Sequence, residues 1–199
     1  MSKRTFSLIF TLFTVGFVLV MISLYNPSSY DKVKSPVSPT PTPTPEPLAQ
    51  TELRFGVLES FPPVSSPNGE KITYSIPITI STNKNKITAV QLEMSYDPKV
   101  LTIISLSPGT FFPKPVTLLE KEDEDNGRIS YAIGIAPNTP GIEGEGVVAT
   151  LTFQTKSQFL KTTQISFLPK TLVTAEGSNQ SVLKEAFSSQ IVVGENIDN

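Results

Sequence analysis

The chain of 199 residues contains no cysteine, no histidine and no tryptophan. Without cysteine and histidine it has no Ser-His-Asp or Cys-His catalytic arrangement, no thiolate or imidazole ligand for zinc, and no disulfide framework. Its formal net charge is -2, and its 16 Lys and Arg residues are scattered, so no basic surface for nucleic acid is predicted. We therefore expect a protein that is not an enzyme, with no cofactor, no tightly held metal and no nucleic-acid partner.

One long apolar run lies near the N-terminus. Phe6 to Leu24 contains no charged residue, follows Lys3 and Arg4, and is long enough as a helix to cross a hydrocarbon layer of ~30 Å. No small-residue cleavage site follows it, which favours an uncleaved signal anchor at residues 5–25 over a cleaved signal peptide. Because the cationic residues precede the span, residues 1–4 are predicted to be cytoplasmic and the C-terminal domain extracellular on the cell membrane.

Proline is concentrated between Ser35 and Pro47, where it occupies nearly every second position. This spacing disfavours helix and sheet and favours extended polyproline II structure. The sequence therefore predicts a disordered Pro/Thr-rich stalk over residues 26–50, a folded domain over 51–194 and a tail over 195–199.

The clearest local pattern of the folded domain lies between Ile87 and Phe112. One side of a period-2 segment carries Val90, Leu92, Met94 and Tyr96. Such alternation is typical of a half-buried strand. Asp97-Pro98 ends that strand, since proline lacks an N–H group, and an apolar run then continues to Pro108-Gly109. Two strands joined by a sharp corner are predicted.

Similar alternations predict about nine short strands, with no amphipathic helical segment between them, so the fold class is an all-β antiparallel sandwich. Pro77 lies inside one strand and indicates an edge or a bulge there. Besides the central pair, we expect strands near 53–57, 72–80, 116–119, 129–135, 147–155, 164–167 and 186–193.

Three connecting segments have alternative interpretations. Glu120 to Gly127 contains DEDNG but lacks the ligand spacing of an EF-hand, so a solvated hairpin is predicted rather than a calcium loop. Pro137 to Gly146 is either a mobile connection or a functional loop. Leu168-Pro169-Lys170-Thr171 is similar to a sortase signal, but Leu172 replaces the required Gly and no apolar tail follows.

Three segments resemble strands of cohesin modules: YDPKVL at 96–101, GRISYAIGIA at 127–136 and EGVVATLTFQTK at 145–156. Cohesins are β-sandwiches that bind dockerin modules in cellulosome scaffolds, and their superfamily includes carbohydrate-binding modules. The resemblance covers about the last two-thirds of the chain. It implies a jelly-roll, cohesin-like topology and a role in protein attachment.

The resemblance also implies a binding face, built in cohesins from the eighth, third, sixth and fifth strands. Contact positions of the best-known group fall on Ala89 and Gln91, where Asn and Asp are usual, and on Ala132 and Ile135, where an apolar residue and Glu are usual. Glu93 lies on the same side of the third strand. These departures point to a different dockerin or to another surface protein.

Two other function classes remain open at this stage. A carbohydrate-binding module or a cell-surface adhesion domain is the main alternative, although no Trp is present and Tyr74, Tyr96 and Tyr131 lie on apolar faces. A glycosidase would need two carboxylates about 5–10 Å apart, and no motif selects such a pair. The expected function is thus a membrane-anchored, surface-displayed binding module, with polysaccharide degradation as its setting.

Overall fold

The computed structural model describes residue 21 and residues 46–64, 71–157 and 159–194. The predicted anchor and tail and most of the predicted stalk lie outside these residues, apart from Met21 and residues 46–50. Among the described residues, no helix is long and apolar enough to cross a membrane. All the strands belong to the compact unit Thr44–Asn199.

The described residues form twelve strands. In chain order they are β1 Thr51–Phe55, β2 Glu59–Val64, β3 Lys71–Ser81, β4 Ile87–Ser95, β5 Leu101–Pro108, β6 Val116–Asp123, β7 Arg128–Gly134, β8 Glu145–Thr155, β9 Lys161–Phe167, β10 Leu172–Ala175, β11 Leu183–Phe187 and β12 Ser189–Val193.

These strands make two sheets that pack face to face. Sheet one has the order β11-β1-β3-β8-β5, with β2 also paired to β3, and sheet two has the order β12-β9-β4-β7-β6, with β10 also paired to β4. Strand pairing is antiparallel except between β1 and β11, which run parallel. The all-β sandwich prediction is confirmed. The strand number exceeds nine because β2 and β10 were not predicted and because the segment predicted near 186–193 is divided into β11 and β12.

One edge of β3 is shared by two strands. β1 and β2 pair with the same edge of β3, and Pro77 lies where one replaces the other. Its carbonyl accepts a hydrogen bond from Gly56 N at 2.7 Å, while proline has no N–H to continue the ladder. A register shift follows between Ile78 and Thr79. Pro77 therefore marks both a break in the neighbouring strand and a bulge.

The core lies between the two sheets. On β4 the side chains of Val90, Leu92 and Met94 are fully buried, as the alternation predicted. Tyr74 of β3 stacks on Phe153 of β8, with ring centroids 5.7 Å apart. Burial of this apolar surface is the main favourable term in the stability of the sandwich.

The corner between β4 and β5 carries the chain from sheet two to sheet one. The carbonyl of Asp97 accepts hydrogen bonds from Val100 N and Leu101 N, and its side chain accepts one from Lys99 N at 2.9 Å. Gly127 packs beneath the corner with a φ of 58°, where an added Cβ would lie 2.2 Å from the Tyr96 carbonyl oxygen. The predicted corner is confirmed.

The charged segment after β5 differs from its prediction. β6 continues through Asp123, so only residues 124–127 form the turn. The extension occurs because β6 pairs along most of β7, from Val116 opposite Gly134 to Asp123 opposite Arg128. Lys121 and Asp123 are therefore strand residues whose side chains lie on a defined side of the sheet. They are not part of the hairpin turn.

Candidate binding face

The outward surface of β4 and β7 carries four of the five candidate residues. Gln91 lies opposite Ala132, and Ala89 lies opposite Gly134. Glu93, the fourth candidate, lies opposite Ser130. We call this outward surface the β4–β7 face. Ile135 does not share it, because β7 ends at Gly134 and the half-buried Ile135 side chain packs against the core.

The Glu93 carboxylate is held by two neighbours on this face. Gln91 Nε2 donates to Glu93 Oε1 at 3.1 Å, and Ser130 Oγ donates to Glu93 Oε2 at 2.7 Å. Hydrogen bonds to an ionised acceptor are shorter and stronger than neutral ones. All three side chains are half-buried, so the carboxylate has a fixed position on the sheet surface.

A corner between β9 and β10 fixes the backbone of the same residue. Thr171 Oγ1 accepts a hydrogen bond from Glu93 N at 3.1 Å and donates one to Glu93 O at 2.9 Å. Leu168 N also donates to Glu93 O, at 2.7 Å. The segment that resembles a sortase signal is thus a structural corner, and it keeps Pro169 and Lys170 beside the β4–β7 face.

An open groove of about 440 Å³ lies beside Glu93 on this face. Its charged lining comes from Lys121 and Asp123 of β6, Arg128 of β7 and Lys170 of the corner. Hydrogen bonds from the Asn126 side chain and backbone hold the pKa of Asp123 below its usual value. In the part of the chain that the structure describes, the three cationic side chains form no salt bridge.

The other half of the β4–β7 face is flat and apolar. Ala89, Ala132 and Gly134 supply no long side chain, and an added Cβ on Gly134 would lie 2.7 Å from the Thr88 carbonyl oxygen. On the neighbouring β6, Leu119 pairs with Ala132 and remains 41% exposed. Val116 pairs with Gly134 and is 39% exposed. A polar groove and an apolar patch therefore lie side by side.

Sequence reasoning placed the β4 and β7 residues but missed the contributions of β6 and the β9–β10 corner. The sequence predicts Leu119 at the end of a short strand and Lys121 in a charged hairpin. The alternation of Leu119, Lys121 and Asp123 is the signal that could have identified them as one face of a longer strand.

The described residues contain no group of three or more Asp, Glu, Cys or His side chains arranged to hold a metal ion. In the segment that is similar to a calcium loop, Asp123 accepts hydrogen bonds from Asn126, which closes the turn. These contacts give Asp123 a turn-stabilising role.

Two face-to-face sheets, with a polar groove and a flat apolar patch on one outward surface, place the domain in the class of β-sandwiches. A model of the family described as "Cohesin domain" matches residues 60–193, which is more than half of the chain. The chain belongs to the cohesin family.

Solved structures share this fold at low sequence identity. The third cohesin ScaC of Acetivibrio cellulolyticus, in complex with the ScaB dockerin, is 18% identical with a TM-score of 0.55, covering 73% of this chain and 100% of that one. The seventh ScaB type I cohesin of Pseudobacteroides cellulosolvens is 16% identical with a TM-score of 0.55, covering 75% and 96%.

A non-cellulosomal cohesin from the hyperthermophilic archaeon Archaeoglobus fulgidus is also similar. It is 15% identical with a TM-score of 0.52, covering 74% of this chain and 93% of that one. No curated protein matches this chain in sequence. These likenesses establish the fold.

Proposed function

We propose that residues 51–194 form a cohesin-type attachment module that binds a dockerin-type or other surface protein through the β4–β7 face. The observation that carries the proposal is the fixed Glu93 carboxylate, held by Gln91 and Ser130 between a charged groove and an apolar patch. Membership of the cohesin family and the dockerin complex of the Acetivibrio neighbour support this partner class.

The two halves of the face suit the two tasks of a protein interface. The exposed side chains of the apolar patch, Leu119 and Val116, lose water when a partner packs on them, which supplies affinity. The groove around Glu93 offers fixed acceptors and three unpaired cations, which orient the partner and exclude wrong ones. Because Glu93 is already held in place, binding costs little side-chain ordering at that residue.

In this proposal the first fifty residues set where the domain is displayed. Residues 5–25 anchor the chain in the cell membrane with residues 1–4 in the cytoplasm, and residues 26–50 form the stalk. At ~3.1 Å per residue, an extended polyproline II segment from Ser35 to Pro47 would add about 40 Å of reach. The domain would then hold its partner at the cell surface, where polysaccharide degradation is the proposed setting.

Calorimetric titration against purified calcium-loaded dockerin modules tests this proposal, with Glu93→Lys as the test variant. We expect the wild-type protein to bind a subset of dockerins and Glu93→Lys to weaken that binding about tenfold or more, since the charge reversal leaves Ser130 and Gln91 without their acceptor. The melting temperature should fall by a few degrees, because the half-buried side chain loses two hydrogen bonds, so binding is measured at a temperature at which the variant is folded.

Glu185→Lys is the matched control, since Glu185 is exposed on β11 of the opposite sheet. It should bind dockerin as the wild type does. Equal affinity of the Glu93→Lys and wild-type proteins would place the site elsewhere on the domain. A wild-type protein that binds none of the dockerins would contradict the dockerin part of the proposal.

A further inference from the structure

The opposite side of the sandwich carries an array of uncharged polar side chains. Strand register across β3, β8 and β5 aligns two rows on the outward surface of sheet one: Thr73, Gln154 and Thr102, then Ser75, Thr152 and Ser105. We call these six residues the neutral face. The side chains that alternate with them, such as Tyr74, Phe153 and Ile103, are buried in the core.

The neutral face contains no charged side chain, in contrast to the β4–β7 face with its groove of cations and carboxylates. Charged residues lie at its margin: Glu59 of β2, which pairs with Ser75, and Lys71, two positions before Thr73 on β3. A charged ligand or a salt-bridged protein partner would find few complementary charges here. The composition therefore favours a ligand that is polar but uncharged.

Most hydroxyl groups of the neutral face are free to bind a ligand. Gln154 Nε2 donates to Thr73 Oγ1 at 3.1 Å, which orders the two side chains. Within the described ranges, the hydroxyls of Thr102, Ser105 and Thr152, which are half-buried or exposed, make no hydrogen bond to protein groups. Ser75 is only 8% exposed, so its hydroxyl contributes less to this surface. Each hydroxyl is both a donor and an acceptor, as are the hydroxyls of a sugar.

Two exposed apolar side chains flank this array on opposite margins. Phe61 of β2, which pairs with Thr73, is 47% exposed. Ile104, at the bulge of β5 between Ile103 and Ser105, is 50% exposed. The two strands are three strand spacings apart, or about 14 Å at ~4.8 Å per spacing. A polymer that crosses the sheet would meet apolar contacts at both ends and polar groups between them.

We propose that the neutral face binds an uncharged polysaccharide chain, independently of the protein partner on the β4–β7 face. A sugar ring combines hydroxyl groups at its edge with apolar C–H surfaces, which matches hydroxyls and an amide between Phe61 and Ile104. The regular spacing of side chains along each row suits a repeating polymer. A protein partner would instead need a large apolar centre, which the neutral face lacks.

Affinity electrophoresis of the full chain in a polyoxyethylene detergent tests this inference. The gels contain a neutral mixed-linkage β-glucan, a neutral galactomannan or, as the charged comparison, polygalacturonate. We expect at least one neutral polymer to retard the wild-type protein and polygalacturonate to have no such effect. Thr152→Lys, at the centre of the neutral face, and Phe61→Ala should each weaken the retardation about fivefold or more.

Thr162→Lys is the matched control, because Thr162 is exposed on β9 of the other sheet. It should be retarded as the wild type is. Ser105→Lys, at an exposed position, repeats the test if Thr152→Lys lowers the melting temperature. Three results would overturn the inference: no retardation of the wild-type protein by either neutral polymer, unchanged retardation of the lysine variants, or equal retardation by polygalacturonate. None of these results bears on dockerin binding, so the two proposals fail separately.

Discussion

Tyr96 and Tyr131 both lie in the core, but their hydroxyl groups meet different surroundings. Tyr96 OH donates a hydrogen bond to Glu122 Oε1 at 2.8 Å, and burial, followed by this bond, raises the pKa of Tyr96 well above its usual value. Tyr131 is 1% exposed, and its hydroxyl lies beside the Thr117 side chain but makes no hydrogen bond of good geometry among the described residues. Burial raises the pKa of Tyr131 as well. The two hydroxyls should therefore affect stability in opposite directions.

Replacing each tyrosine by phenylalanine tests this difference. Tyr96→Phe should lower the free energy of unfolding by about 1 kcal/mol, because it removes a hydrogen bond to a carboxylate. Tyr131→Phe should leave that free energy unchanged or raise it by up to about 1 kcal/mol, because it removes a buried group without a partner. Denaturant unfolding of both variants measures the contrast. A larger loss for Tyr131→Phe would mean that its hydroxyl is satisfied after all.

At the scale of the element, β4 is the strand on which sheet two is built. It pairs with β7 along one edge and with β9 and β10 along the other. Its inward side chains are fully buried, while Gln91 and Glu93 lie half-buried on the outward surface. One strand therefore supplies both a large part of the core and the centre of the candidate site.

Alanine substitutions on the two sides of β4 should separate these roles. Leu92→Ala should cost about 2–5 kcal/mol of stability, because it leaves a cavity at a position with no solvent exposure. Gln91→Ala should cost less than about 1 kcal/mol, since it loses a single hydrogen bond to Glu93. Thermal melts of both variants measure the two losses of stability. A greater loss for Gln91→Ala would invert the face assignment of β4.

At the scale of the whole molecule, the described domain and the N-terminal apolar run are predicted to have separate tasks. Deleting residues 1–25 should release the protein from membranes, because that run alone is long enough to span the hydrocarbon layer. Fractionation of cells that express the full and the truncated chain measures the change. A truncated chain that still sediments with membranes after a high-salt wash would show that the domain itself binds them.

The sequence by itself determined the local features of the domain. Period-2 alternation placed Val90, Leu92 and Met94 in the core and Gln91 and Glu93 outside, because neighbouring side chains of a strand point to opposite sides. Asp97-Pro98 predicted the corner between β4 and β5, because proline cannot continue a ladder. These features depend on covalent geometry within a few residues, so they could be predicted without knowing which strands pair.

The tertiary structure alone decided which distant segments meet. The Thr171 corner beside Glu93 has no local signal, because Thr171 and Glu93 are 78 residues apart in the sequence. The alternation of Leu119, Lys121 and Asp123 indicates a strand, but only its pairing with β7 brings these side chains to the groove. The segment predicted as one strand near 186–193 is likewise divided into β11 and β12, which complete different sheets. Alternation fixes the side of a sheet on which a residue lies, but strand pairing fixes its neighbours, and the groove around Glu93 consists of such neighbours.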